Sequence, residues 1–146
     1  VRRAYLDWAV GTFRLATAGA RPETQIHTHL SYSSLRVMTE AIEGLDADVT
    51  NIVATRSIEW VLDALQDHAL TRQVGPGVYE SRSGYVPDID LLHERLLEGV
   101  ATVGVDRLWA VPDGGLKSRY TWQLEPSLRN LVTAARRIRR AVALDS

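Results

Sequence analysis

The chain alternates between short β-branched or apolar segments and longer segments with helical periodicity, and this order restricts the fold more than any other feature. Four segments have the composition of strands, namely residues 25–30, 48–54, 73–79 and 107–113. The connections between them are too long for hairpins and carry apolar residues at three- and four-residue spacing. Parallel strands require such helical crossovers. We therefore predict an α/β fold with four parallel strands, each followed by a helix, and one additional helix at the start.

Start and stop signals locate the predicted helices. Gly19 and Pro22 end the first helix, and Gly44 ends the second. The fourth is expected to begin near Asp88, and Pro126 is expected to open the last helix, because proline is favoured in the first turn. The apolar stripe predicted for the last helix comprises Leu128, Leu131, Val132, Ala135, Ile138 and Val142.

Charge and length exclude some classes of protein. A chain of 146 residues with no change of composition is at most one domain. Its net charge of −1 argues against a nucleic-acid-binding protein. Four arginines cluster near the end of the last predicted helix, where cations complement the helix dipole, so a solvated face is favoured over a phosphate-binding patch. They are Arg136, Arg137, Arg139 and Arg140.

Hydropathy and cysteine content exclude others. No apolar run approaches the roughly 20 residues of a membrane span, and residues 1–10 lack the apolar core of a signal peptide. We expect a soluble, cytoplasmic protein without a membrane partner. The sequence has no cysteine, so this chain provides neither a disulfide nor a thiolate nucleophile nor a thiolate ligand.

Polar side chains gather where the predicted strands end. The carboxyl ends of parallel strands meet at one edge of a sheet, and α/β proteins usually place their sites there. The candidates are His27, His29, Ser31, Arg56, Glu80, Arg82, Asp113 and Lys117.

Two histidines share one face of the first strand. His27 and His29 have the H-x-H spacing that can present two imidazoles to a metal ion. A pair of hydrogen-bonded histidines in a polar mouth explains them equally well.

Two glycine-containing segments have a functional and a structural explanation each. Residues 75–79 (GPGVY) lack the spacing of a phosphate-binding loop, so their glycines are predicted to allow close packing. In residues 112–119 (PDGGLKSR), Lys117 and Arg119 can reach an anion, although a plain turn also explains the double glycine.

Several segments, in order, resemble the C-terminal catalytic barrel of cobalamin-independent methionine synthase. They are residues 5–16, 25–33, 41–57, 74–87 and 107–119. The resemblance implies a TIM-type barrel, shared with uroporphyrinogen decarboxylase, of which residues 1–146 supply the last four strand–helix units. Four strands leave two unprotected edges. A second chain, another copy of this chain, or residues outside this sequence are therefore expected to complete the barrel.

The family's zinc ligands are a His and a Cys on the first of these strands, a Glu on the second and a Cys after the fourth. These positions are His29, Ser31, Val53 and Gly114 in this sequence, and only the histidine keeps a good donor. Tetrahedral zinc needs three or four protein ligands, so zinc is not expected. The family's proton-donating histidine corresponds to Arg82, which stays protonated.

The resemblance implies a methionine-synthase-like enzyme, zinc-independent, that acts on a small anionic carboxylate or amino-acid substrate. His29 is the expected acid or base, and methyltetrahydrofolate stays open as a methyl donor. One alternative is a non-catalytic subunit that completes a partner's barrel. Another is 5-methyltetrahydropteroyltriglutamate–homocysteine S-methyltransferase itself. The expected substrate-binding residues are His27, Ser31, Arg56, Arg82, Asp113 and Lys117.

Overall fold

A computed structural model describes residues 2–31, 35–54, 58–67, 71–117 and 119–144, apart from the side chains of residues 2 and 35–39. Strands and helices alternate as the sequence predicts. The elements are α1 (Arg2–Thr17), β1 (His27–Leu30), α2 (Leu35–Gly44), β2 (Val49–Ile52), α3 (Ile58–Asp67), β3 (Gln73–Pro76), α4 (Ile89–Val103) and α5 (Thr121–Leu144).

The sheet contains three parallel strands in the order β1–β2–β3. The expected fourth strand is not continuous, because residues 107–113 join β3 only through two parallel bridges, Val74 with Leu108 and Gly77 with Val111. Between these bridges lies Pro76, which has no N–H to donate to the neighbouring segment. The proline therefore explains why this segment is bridged to the sheet without forming a full strand.

The start of α4 agrees with the prediction, whereas the start of α5 does not. The Asp88 carboxylate caps α4 by accepting a hydrogen bond from the Asp90 N–H at 2.8 Å. α5 begins at Thr121, so the expectation that Pro126 opens it is wrong. Tyr120 O accepts hydrogen bonds from the N–H groups of Gln123 and Leu124, which form the first turn before the proline.

Two apolar clusters lie between the sheet and the helices. The first joins α3 to the strands, and the second joins α4 to α5. Val132 was expected on the inner stripe of α5, but it is 47% exposed, and Ala134 is fully buried instead. Successive helical residues are rotated by about 100°, so Val132 lies just outside the face that Leu131 and Ile138 bury.

The opposite face of the sheet is concave. The rings of His27 on β1 and Trp109 beyond β3 meet edge to face, with centroids 4.9 Å apart. Their backbones are separated by three strand spacings, roughly 14 Å on a flat sheet. Between them Val49 has no exposed surface. The sheet therefore curves, and its inner face is partly filled at the amino ends of the strands.

None of the helices that the structure describes is long and apolar enough to span a bilayer.

Candidate functional site

The strands end in one cavity of about 240 Å³. Side chains alternate across a strand, so His29 and Ser31 share the concave face of the sheet with Val53, which follows β2. The loops after β3 and after residues 107–113 close the other side. The lining residues are His29, Ser31, Val53, Glu80, Ser81, Arg82, Asp113, Gly114, Gly115 and Lys117.

Asp113 connects the strand ends that form the cavity. Its Oδ1 accepts a hydrogen bond from the N–H of Ala54 at 2.6 Å, and its own N–H donates to Tyr79 O at 2.9 Å. Ala54 is buried and follows β2, whereas Tyr79 follows β3. One residue therefore holds three segments of the cavity wall in register.

The glycines of residues 75–79 make this arrangement sterically feasible. A Cβ atom at Gly77 would lie 2.5 Å from the Asp113 Cα, and one at Gly75 would lie 2.9 Å from the Val111 Cγ2. Both distances are shorter than real Cβ contacts, and the first is to backbone. The prediction that these glycines allow close packing is confirmed.

Charges of both signs surround the cavity. Arg82 and Lys117 provide two cations, and Glu80 and Asp113 provide two carboxylates. Arg82, Lys117, Glu80 and His29 are all exposed, so solvent and ligands reach them. Paired cations and carboxylates beside one imidazole complement a ligand that carries both a carboxylate and an ammonium group.

Arg119 has a structural position that the sequence did not reveal. Its guanidinium donates to the carbonyl oxygens of Ser81, Ser83 and Tyr85 and to Ser127 Oγ. It is absent from the cavity lining, whereas Lys117 of the same motif is present. Nothing in the spacing of residues 112–119 separates these two cations in advance.

The same guanidinium lies near a buried tyrosine. Tyr79 is 4% exposed, and its hydroxyl has no hydrogen-bond partner among the described residues. Burial raises the pKa of the Tyr79 hydroxyl, and the positive charge of Arg119 opposes part of that rise. Tyr79 therefore stays neutral beside the wall of the cavity.

One of the expected site residues, His27, does not line the cavity. His27 lies one register step nearer the amino ends, where its ring contacts Trp109 and its Nε2 is 3.1 Å from Gln25 Oε1. The alternation of side chains along β1 predicted the correct face of the sheet for His27, but it did not predict how far His27 lies from the cavity along the strand. Arg56 lies outside the described residues.

A family model described as the catalytic domain of cobalamin-independent synthase matches residues 1–137. The chain belongs to the cobalamin-independent methionine synthase family. A 5-methyltetrahydropteroyltriglutamate–homocysteine methyltransferase of Rhodococcus jostii (strain RHA1) is 52% identical over 135 residues, or 92% of this chain. A protein of the same name from Vibrio vulnificus (strain CMCP6) is 42% identical over 97% of this chain. This chain spans only 18% of the length of each relative.

The fold has a counterpart among solved members of the methionine synthase family. The B12-independent methionine synthase of Shewanella sp. W3-18-1, solved with selenomethionine, superimposes with a TM-score of 0.73 at 14% identity. The superposition covers 96% of this chain and 45% of that protein. The superposition shows that this chain shares the α/β fold of that protein. More than half of that protein has no counterpart in this chain.

The cavity unites all four positions at which the methionine synthase resemblance implies zinc ligands. His29, Ser31, Val53 and Gly114 all line it. Only His29 offers a nitrogen or sulfur donor, and Val53 and Gly114 have no side-chain donor at all. Among the described residues, no group of three His, Cys, Asp or Glu side chains is placed to hold a metal ion. The residues present do not fit tetrahedral zinc.

Proposed function

We propose that the complete protein is a methyltransferase of the methionine synthase family that takes an amino-acid substrate at this cavity. The relatives support the reaction class, because their names specify methyl transfer to homocysteine, which is an amino acid. The cavity supports the substrate class. Its two cations suit an α-carboxylate, and its two carboxylates suit an α-ammonium group.

The single observation that carries this proposal is the convergence of His29, Arg82, Asp113 and Lys117 on one cavity of about 240 Å³. They come from three separate segments of the chain, and they meet because parallel strands end at the same edge of the sheet. Arg82 and Lys117 orient the carboxylate of the substrate. His29 lines the cavity and is exposed, and we assign proton transfer to it.

The relatives favour one of the alternatives, homocysteine methyltransferase itself, over the broader zinc-independent function. The side chains at Ser31, Val53, Arg82 and Gly114 favour the broader function, since they differ from the ligand and proton-donor set that the resemblance implies. Methyltetrahydropteroyl triglutamate with homocysteine is accordingly the first pair of substrates to test.

The sheet has two uncovered edges in the part of the chain that the structure describes. Among the described residues, neither β1 nor residues 107–113 have a further strand on their outer side. Bare edges are normally covered. We propose that residues 1–146 form the C-terminal half of a barrel, completed by another chain, a second copy or further residues of the same protein. A non-catalytic role, in which this half only completes a partner's barrel, is the remaining alternative.

The test compares wild type, His29→Ala and His93→Ala in the complete protein. His93 lies on α4, away from the cavity, and is the matched control. With the methyl donor and an amino-acid acceptor supplied, homocysteine being the first to try, we expect equal turnover by wild type and His93→Ala, and a loss of at least about 100-fold in kcat for His29→Ala. Equal turnover by all three proteins would contradict the role of His29. No turnover and no amino-acid binding by wild type would favour the non-catalytic role.

A further inference from the structure

We infer that this cavity binds its substrate without a metal ion and depends on the fixed charges of Arg82 and Lys117. The inference rests on the proposed amino-acid site. It concerns how that site attracts its ligand, which is a separate question from which reaction follows. Three observations support it: the space at Gly114, the chemistry of the available donors, and the position of the two cations.

Space for a metal-binding side chain exists, so the missing donors do not result from a collapsed backbone. A Cβ atom at Gly114 would lie 3.4 Å from Ser81 Oγ, an ordinary van der Waals contact. Among the described residues only Gly104 has the positive φ that disfavours other side chains. The backbone would therefore accept a cysteine at residue 114, and the chain has glycine there instead.

The donors that do line the cavity are unsuited to zinc. The Ser31 hydroxyl is neutral, and Val53 presents a half-buried apolar surface where a carboxylate would be needed. Asp113 has one oxygen committed to the Ala54 N–H. A single imidazole, His29, provides one ligand where zinc requires three or four.

The two cations supply a different source of attraction. The positive charges of Arg82 and Lys117 need no cofactor, and both residues line the same cavity as His29. A thiol has a pKa near 8.5 and stays mostly protonated at pH 7 unless a cation such as zinc stabilises its thiolate. A carboxylate is already ionised. The site should therefore recognise the carboxylate of an amino acid and discriminate poorly between a thiol and a hydroxyl at the far end.

Metal content tests the inference without reference to activity. The complete protein, dialysed against zinc-containing buffer and then against metal-free buffer, is expected to retain far less than one zinc ion per chain by mass spectrometry. The variant Ser31→Cys/Val53→Glu/Gly114→Cys restores three donors beside His29 and should bind zinc at least about 100-fold more tightly than wild type. The control Ser31→Ala/Val53→Leu/Gly114→Ala adds no donor and should stay metal-free. Stoichiometric zinc in wild type would overturn the inference.

Ligand selectivity provides a second test, which holds even if the triple variant fails to fold. Titration calorimetry of wild type with homocysteine and with homoserine, which has oxygen in place of sulfur, should give affinities within about threefold. Repetition in buffers of different ionisation enthalpy should reveal no proton release. Tight homocysteine binding with release of one proton, both lost when a zinc chelator is added, would overturn the inference and leave the amino-acid site intact. Absence of binding by both ligands would count against the proposed function, and the metal content would still decide the inference.

Discussion

The carboxylate of Asp113 accepts a hydrogen bond from the backbone N–H of Ala54 at 2.6 Å, across 59 residues of sequence. This contact joins the end of β2 to the segment after β3, and Asp113 also lines the cavity. The site is therefore built from residues that hold the strand ends together as well as from residues that face a ligand.

Removal of this carboxylate should destabilise the protein. Ala54 is 2% exposed, so Asp113→Ala leaves a buried N–H without its partner, which costs about 1–3 kcal/mol. Asp113→Asn keeps an oxygen at the same position and should lose less. Urea unfolding of the three proteins measures the difference. Equal midpoints for Asp113→Ala and wild type would show that the hydrogen bond contributes nothing.

A methyl group at Gly77 should also destabilise the fold. Its Cβ would lie 2.5 Å from the Asp113 Cα, so Gly77→Ala forces apart two backbones and should cost about 1–3 kcal/mol. Gly11 is the matched control, because it lies inside α1 and a methyl group added there would meet no neighbouring atom within 4 Å. Gly11→Ala should raise stability by about 0.5–1 kcal/mol. Thermal unfolding that gave both variants the same sign would contradict the close approach of Gly77 to Asp113.

Arg119 should behave as a structural residue. Its guanidinium donates hydrogen bonds to three carbonyl oxygens and to the Ser127 hydroxyl. Arg119→Ala should therefore lower the free energy of unfolding by at least about 2 kcal/mol. Arg119→Lys should not recover this stability, because an ammonium group cannot replace the several coplanar N–H donors of a guanidinium group.

The control for Arg119 is Arg129→Ala. Arg129 pairs with Glu125 at 2.8 Å on the surface of α5, with both side chains at least 66% exposed. Its loss should cost less than about 0.5 kcal/mol. Limited proteolysis of residues 81–85 provides a second readout, and cleavage that is no faster in Arg119→Ala than in wild type would count against the loop contacts.

Tyr79 should make stability sensitive to alkaline pH. The pKa of Tyr79 is raised in the folded protein. Its contribution to the free energy of unfolding is therefore fully present below the pKa of the unfolded chain, near 10, and is lost as pH rises through the pKa of the folded protein. Tyr79→Phe should remove that loss. At neutral pH it should leave stability equal or higher by up to about 1 kcal/mol, because the buried hydroxyl has no partner among the described residues. Urea unfolding from pH 7 to 11 measures both effects. Tyr85→Phe, at an exposed position, should retain the wild-type pH profile.

Periodicity predicted most of the fold because burial follows it directly. Leu131 and Ile138 of the stripe predicted for the last helix are buried, and Asp88 caps α4. The failures have local causes that involve single residues. Pro126 lies inside α5, after a first turn that hydrogen bonds to Tyr120 O close, and Pro76 has no N–H to donate to residues 107–113.

The site was predictable to the extent that strand ends determine it. His29, Arg82 and Lys117 are brought together by the topology, which the sequence pattern already indicated. Two features depend on contacts that only the folded chain makes. They are the position of a side chain along its strand and which of Lys117 and Arg119 lines the cavity. For this reason the sequence could not place His27 against Trp109 or assign Arg119 to the loop that follows β3.

Calorimetric titration of L-methionine into the complete protein tests whether this cavity binds the carboxylate of an amino acid. The comparison is between wild type, the double variant Arg82→Gln/Lys117→Gln, and Arg140→Gln, an exposed arginine on α5 that is absent from the cavity. If the two cations hold the substrate carboxylate, the double variant should bind at least about tenfold more weakly, equivalent to about 1.4 kcal/mol. Arg140→Gln should bind as wild type does. Unchanged affinity in the double variant would contradict the assignment of this cavity as a carboxylate-binding site.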